Sequence, residues 1–133
     1  QVYEARAYGA DAILLIVGIL TPQKLNELIS LAQGFWMQCL VEIHNEEELC
    51  VAIEAGAEII GINNRDLRSF KTDLKVTERL APLVPNDKIV VSESGISSKK
   101  DVMKVGNAGA QAVLIGETLL TAADPGTKLR ELL

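Results

Sequence analysis

The chain reads as an α/β protein of parallel strands, each followed by a helix, and three features carry that reading. Five short apolar runs rich in Ile, Leu and Val recur at 12–17, 38–43, 58–63, 88–93 and 112–116. None alternates polar with apolar residues, as expected of strands covered on both faces in a parallel sheet. Helical segments with capping residues separate them, and the strand-plus-helix unit repeats at roughly 20–27 residues, the rhythm of right-handed crossovers.

Taken in order, the opening "QVYEARAYGAD" has a helical, charged pattern and predicts a partial helix; it lacks the apolar centre of a signal peptide. The first strand, "AILLIV", leads to "TPQKLNELISLAQ", where Thr21 is placed as N-cap and Pro22 at the first helical position. After "QCLVEI", the segment "NEEELCVAIEAGA" opens on Asn45 with an acidic first turn and stops at Gly56. "EIIGIN" precedes the helix "TDLKVTERLAPL". "KIVVSE" precedes "SSKKDVMKVGNAG", with Ser97 expected at the cap, and "AVLIG" precedes a short helical turn and the final "DPGTKLRELL".

Two architectures fit five such units. An open doubly wound sheet binds ligand at one switch point through one glycine-rich turn. Here at least four strands end in polar residues or glycine: Glu42, Asn63, Glu93 with Ser94, and Gly116. A (β/α) barrel converges its strand ends on one site and draws catalytic residues from several of them, so the barrel is the better reading. A complete barrel has eight units and about 250 residues; residues 1–133 are therefore expected to form a single partial barrel domain of five strands.

Bulk properties narrow the function. The net charge of −5 offers nucleic acid no attraction, and 48% hydrophobic content suits a globular core. The longest apolar run, 12–20, falls short of the roughly 20 residues a membrane helix needs, so no membrane partner is expected. Cys39 and Cys50 read as buried, reduced thiols, which points to the cytosol.

The chemistry sits at the strand ends. Gly95 and Gly116 follow the last two strands, where barrels hold phosphate against free N–H groups; otherwise they only permit tight turns. Glu42, walled by aliphatic side chains, is placed to have its ionised form disfavoured and to serve as a general acid or base, or else it emerges into solvent. Glu93 raises the same question. His44, the single histidine, reads as a surface or capping residue. Asn63 offers a donor and an acceptor at the mouth, and Arg65 a planar fork for a carboxylate or phosphate. Asp66 either pairs with Arg65 or caps the loop.

"LLIVGILT", "LVEIHNEEEL", "GAEIIGINNRDL", "VVSESGI" and "VLIGETLL", in this order and spacing, resemble the indole-3-glycerol phosphate synthase family across essentially the whole chain. The resemblance implies a TIM barrel and a carbon–carbon lyase of tryptophan biosynthesis. Its reaction converts 1-(2-carboxyphenylamino)-1-deoxyribulose 5-phosphate to indole-3-glycerol phosphate, with loss of CO2 and water and with no metal or organic cofactor. It implies Glu42 as the carboxylate supporting charge development and proton transfer, Asn63 as the amide orienting the reacting group, and Arg65 near the substrate carboxylate. Glu93 and Ser94 match a polar catalytic pair. Gly95 and Gly116 match the phosphate loops, and Leu14 and Leu114 the wall against the aromatic ring. Many members carry Ser where this chain has Glu117, whose backbone N–H alone would then serve phosphate.

The resemblance also implies a Glu and two Lys on barrel strands that would precede Gln1. The chain is therefore expected to correspond to the C-terminal five-eighths of the enzyme, inactive alone and dependent on the missing N-terminal half-barrel or on self-association. Inward residues, taken to include Leu14, Leu40 and Ile60, would lack an opposing wall. Two further readings stay open: a non-catalytic phosphate-binding or assembly module, and another phosphate-binding barrel such as an isomerase.

Overall fold

The computed structural model describes all 133 residues, Gln1–Leu133. Five strands, β1 (Ala12–Ile16), β2 (Gln38–Ile43), β3 (Ile59–Asn63), β4 (Ile89–Glu93) and β5 (Ala112–Leu114), pair in parallel in the order β1-β2-β3-β4-β5. The strictly sequential order has no switch point, which separates a barrel wall from a doubly wound sheet. β1 and β5 each pair along one side only.

Helices α1 (Val2–Ala7), α2 (Pro22–Gly34), α3 (Glu46–Glu54), α4 (Lys75–Leu80), α5 (Lys99–Asn107), α6 (Glu117–Leu120) and α7 (Pro125–Leu132) complete the chain. Their ends follow local chemistry. Thr21 accepts from the Lys24 N–H, and Asn45 accepts from the Glu48 N–H beneath three consecutive glutamates, so orphan amides at both helix starts are satisfied. Gly56 ends α3 in the left-handed region at φ +82°. The α5 cap lies one residue later than expected. Ser98, not Ser97, is the N-cap of a reciprocal capping box with Asp101, because that register presents its hydroxyl to the third helical N–H.

The core lies between the sheet and its helices. Leu15, Val41, Ile43, Ile60, Ile62 and Val90 point outward from the strands onto Leu25, Ile29 and Ala32 of α2, Leu49 and Ala52 of α3, and Leu80 of α4. Ile60 thus belongs to the helix-facing core and is fully buried, which corrects its assignment to the inner face. Period-two alternation puts Ile59, Gly61 and Asn63 on the inner, concave face instead. That face is graded along the strands. Leu14 and Ile89 are 43% and 49% exposed, whereas Glu42, Asn63 and Glu93 at the C-terminal ends are buried. Of the two free thiols, Cys39 is buried but Cys50 is exposed, on the solvent face of α3. No helix is long and apolar enough to cross a membrane.

Candidate active site

The C-terminal ends of β2, β3 and β4 bring Glu42, Asn63 and Glu93 together on the concave face. In register, Asn63 lies beside Glu93, and Glu42 lies beside Gly61. The Glu93 carboxyl leans back over Gly61, which lies level with Glu42. Burial, then the charge of the neighbouring Glu42 carboxylate, pushes the Glu93 pKa up to about 8. Desolvation and a like charge act in the same direction, each disfavouring a second ionised carboxylate. Oε1 of Glu42 and Oε1 of Glu93 are buried and make no hydrogen bond.

His44 takes part in this cluster rather than lying at the surface. Its main-chain N–H donates to Glu48 Oε2 at 2.8 Å, and its Nδ1 lies 3.2 Å from the same oxygen. That turns Nε2 toward Glu42, 3.5 Å from Oε1. The signal available in the sequence was the Glu48 carboxylate four residues on, which pulls the imidazole back over the strand end.

A cleft of about 750 Å³ opens at the loops that follow β3, β4 and β5, lined by the residues after Asn63 and Glu93 rather than by the carboxylates themselves. Arg65, Ser94, Gly95, Leu114, Gly116 and Glu117 all line it, together with Thr72, Thr118 and Lys128. Ser94 and Gly95 are both left-handed, at φ +65° and +76°. A Cβ on Gly95 would also meet Thr72 Cβ at 3.1 Å, so the turn needs glycine both for its dihedral and for the packing of the loop after β3. The N–H groups of Gly95 and Ile96 make no backbone hydrogen bond, and Thr118 Oγ1 ties the β5 loop to the Ile96 carbonyl at 2.6 Å. Successive backbone donors in such a turn form an anion-binding concavity. Leu14 does not reach the cleft: it sits midway along β1, opposite Leu40, on the open part of the concave face.

The "NNRD" cluster divides into separate jobs. Asn63 Oδ1 accepts the Arg65 N–H at 3.0 Å, and its Nδ2 makes no hydrogen bond within the chain. Asn64 turns the other way and is buried in a network. Its Nδ2 donates to Ser92 Oγ and to the carbonyls of Glu93 and Ser94, while Oδ1 accepts from the Thr77 N–H and hydroxyl. Asp66 caps its own loop, accepting the N–H groups of Arg68 and Ser69 at 2.9 and 2.7 Å; it does not pair with Arg65. Arg65 instead reaches across the mouth to an ion pair with Glu117. The Glu117 carboxylate, which the sequence set beside the phosphate loops, is thereby neutralised. Lys128 is a further cation on the cleft wall that sequence reasoning passed over. No cluster of His, Cys, Asp or Glu in the chain has the arrangement of a metal site.

The same fold appears in thiamine phosphate pyrophosphorylase from Pyrococcus furiosus, at a TM-score of 0.78 and 20% identity over 99% of this chain and 62% of that one. A mandelate oxidase matches at a TM-score of 0.71 and 22% identity, over 98% of this chain and 48% of that one. At these identities the likeness establishes the barrel architecture. Sequence relatives go further. The chain is 56% identical over its whole length to 51% of the indole-3-glycerol phosphate synthase of Dehalococcoides mccartyi strain CBDB1. It is 53% identical, over 98% of its length, to half of the corresponding protein of Acetivibrio thermocellus. The chain thus spans about half the length of the curated relatives it matches. The family model for indole-3-glycerol phosphate synthase matches residues 1–132. With five sequential parallel strands and polar groups converging at their C-terminal ends, the chain belongs to the indole-3-glycerol phosphate synthase family of TIM-barrel lyases.

Proposed function

We propose that this chain forms the β/α wall carrying the strand-end carboxylates and phosphate loops of an indole-3-glycerol phosphate synthase, and that it works when the barrel is completed by further strands against β1 and β5. The observation that carries the reading is the buried Glu42–Glu93 pair beside a glycine-lined cleft. The reaction expels CO2 and water, and a departing hydroxyl needs a proton at the moment the bond breaks. Glu93, with a pKa of about 8, holds a proton at neutral pH, so the pair carries one that it can deliver. Asn63 Nδ2 is free to orient a substrate oxygen. Ser94 stands at the cleft with Gly95 and Gly116, whose loops suit the phosphate. Arg65 would meet the substrate carboxylate by exchanging it for Glu117. Leu114, 44% exposed at the cleft, supplies apolar wall for the aromatic ring, and Leu14 does so only if the ring extends along the concave face.

The exposed apolar part of the concave face, with Leu14 and Ile89 open, supports completion by a complementary half-barrel or by self-association. Formation of indole-3-glycerol phosphate, followed by fluorescence, tests the proposal in this chain alone and mixed with an N-terminal half-barrel of the family. Turnover in the mixture only is the expected result. Tight binding of a sugar phosphate without turnover in either would favour a phosphate-binding module, and turnover of an isomerase substrate would favour that enzyme class.

A further inference from the structure

Gly61 is the one residue of β3 whose identity neither the core nor the substrate reading explains. It lies at the centre of an apolar strand, where glycine weakens packing and usually marks a close approach. Its backbone is not in the left-handed region, so no dihedral demands it. What demands glycine is space. A Cβ at this position would overlap Glu93 Oε1 outright, and would stand 3.1 Å from Glu93 Cδ and from Leu40 Cδ1.

The register shows why. Gly61 pairs with Glu42 on β2 and with Val91 on β4, whereas Glu93 lies level with Asn63, two residues further on. Glu93 Oε1 stands over Gly61, so its side chain leans back across β3 toward the level of Glu42, and the point at which it crosses is Gly61. We infer that Gly61 is a positioning residue: its missing side chain opens the lane across β3 through which Glu93 reaches Glu42, so that two carboxyls from non-adjacent strands share one proton.

This deepens the lyase reading and rests on it for the effect on turnover; the geometry stands apart from it. Leu40 Cδ1 and Glu93 Oε1 are both ends of flexible side chains. Gly61→Ala therefore leaves the strand in place and swings Glu93 away from Glu42.

The test is made in the completed barrel with 13C-labelled glutamate, the Glu93 and Glu42 signals being assigned through Glu93→Gln and Glu42→Gln. In the parent protein, Glu93 is expected to titrate near pH 8 and to respond to Glu42→Gln. In Gly61→Ala its midpoint falls by about one pH unit or more, toward the ordinary carboxylate range, and no longer responds to Glu42→Gln. An unchanged, still coupled titration would overturn the inference.

A stability cycle provides the second arm. Gly61→Ala should lower the urea midpoint in the parent protein and have a smaller effect in a Glu93→Ala background, where the obstructed side chain is gone. An equal effect in both backgrounds would show that glycine serves something other than Glu93. If Gly61→Ala alone does not fold, recovery of folding in the double variant supports the inference, and failure of both overturns it. In turnover, kcat should fall with little change in KM. An inactive parent whose Glu93 titration still moves in Gly61→Ala would reject the lyase assignment and leave the positioning role intact.

Discussion

Asn63 and Asn64 are chemically the same and one residue apart, yet strand pleating sends one to the concave face and the other into the protein. Asn64 Nδ2 and Oδ1 together tie β3 to β4 and α4 through Ser92, Thr77 and the carbonyls of Glu93 and Ser94. Asn64→Ala strands several buried partners and is expected to cost about 3 kcal/mol, read as a lower urea midpoint with an unchanged slope. It also releases the Ser94 carbonyl, so activity in the completed barrel should fall further than stability alone explains. Glu93 makes a different prediction. The folded carboxyl keeps its proton to about pH 8, whereas the ordinary value is 4.5. Between those values the folded state binds more protons than the unfolded one, so stability falls as pH rises and levels off above about 8. Glu93→Gln, neutral at every pH, should flatten that slope in urea melts at pH 5 and pH 8. As proton donor its loss should slow turnover by about 100-fold or more.

At the scale of elements, the strand–helix junctions follow from residues next to one another in the chain. The capping box of α5 is an example: Ser98 Oγ accepts the Asp101 N–H at 3.3 Å, and Asp101 Oδ2 accepts the Ser98 N–H at 2.9 Å. Burial acts to raise the Asp101 pKa. Hydrogen bonds from Ser97 and Ser98 outweigh it and hold the carboxylate below its ordinary range. Ser98→Ala should destabilise the fold by about 1 kcal/mol, and Ser97→Ala by less, since only Ser98 occupies the cap. Because the Asp101 pKa is lowered, the part of this stability that depends on its charge is present above the ordinary value of 3.8 and is lost as pH falls through the lowered one. Thermal melts of both variants at pH 7 check the ranking of Ser98 over Ser97.

At the scale of the whole molecule, the concave face is incompletely covered and the two outer strands each present an unpaired edge. Leu14, Ile89 and Leu114 are each more than 40% exposed there. Apolar area of this kind, next to open backbone donors and acceptors, favours association with another chain. The 133-residue chain by itself is expected to scatter light as oligomers rather than as a monodisperse monomer, and a complementary half-barrel should convert it to a single 1:1 species. A stable monomer that binds no such partner would count against the proposal of barrel completion.

The period of strands and helices, most of the caps, the family, and the strand-end residues from Glu42 to Glu117 are legible along the chain. All of these depend on neighbours within a few positions, or on motifs read in order. Folding alone settles which strand-end groups come together. Glu93 leans toward Glu42 over Gly61 of the strand that lies between them, Arg65 pairs with Glu117 fifty-two residues away rather than with the adjacent Asp66, and His44 folds back between Glu48 and Glu42. It also turned Ile60 to the helices and Cys50 to solvent. The reason is physical: periodicity tells that successive side chains alternate, but not which face is inner. Contacts between strands depend on register, and register is set by the packing of the whole sheet against its helices.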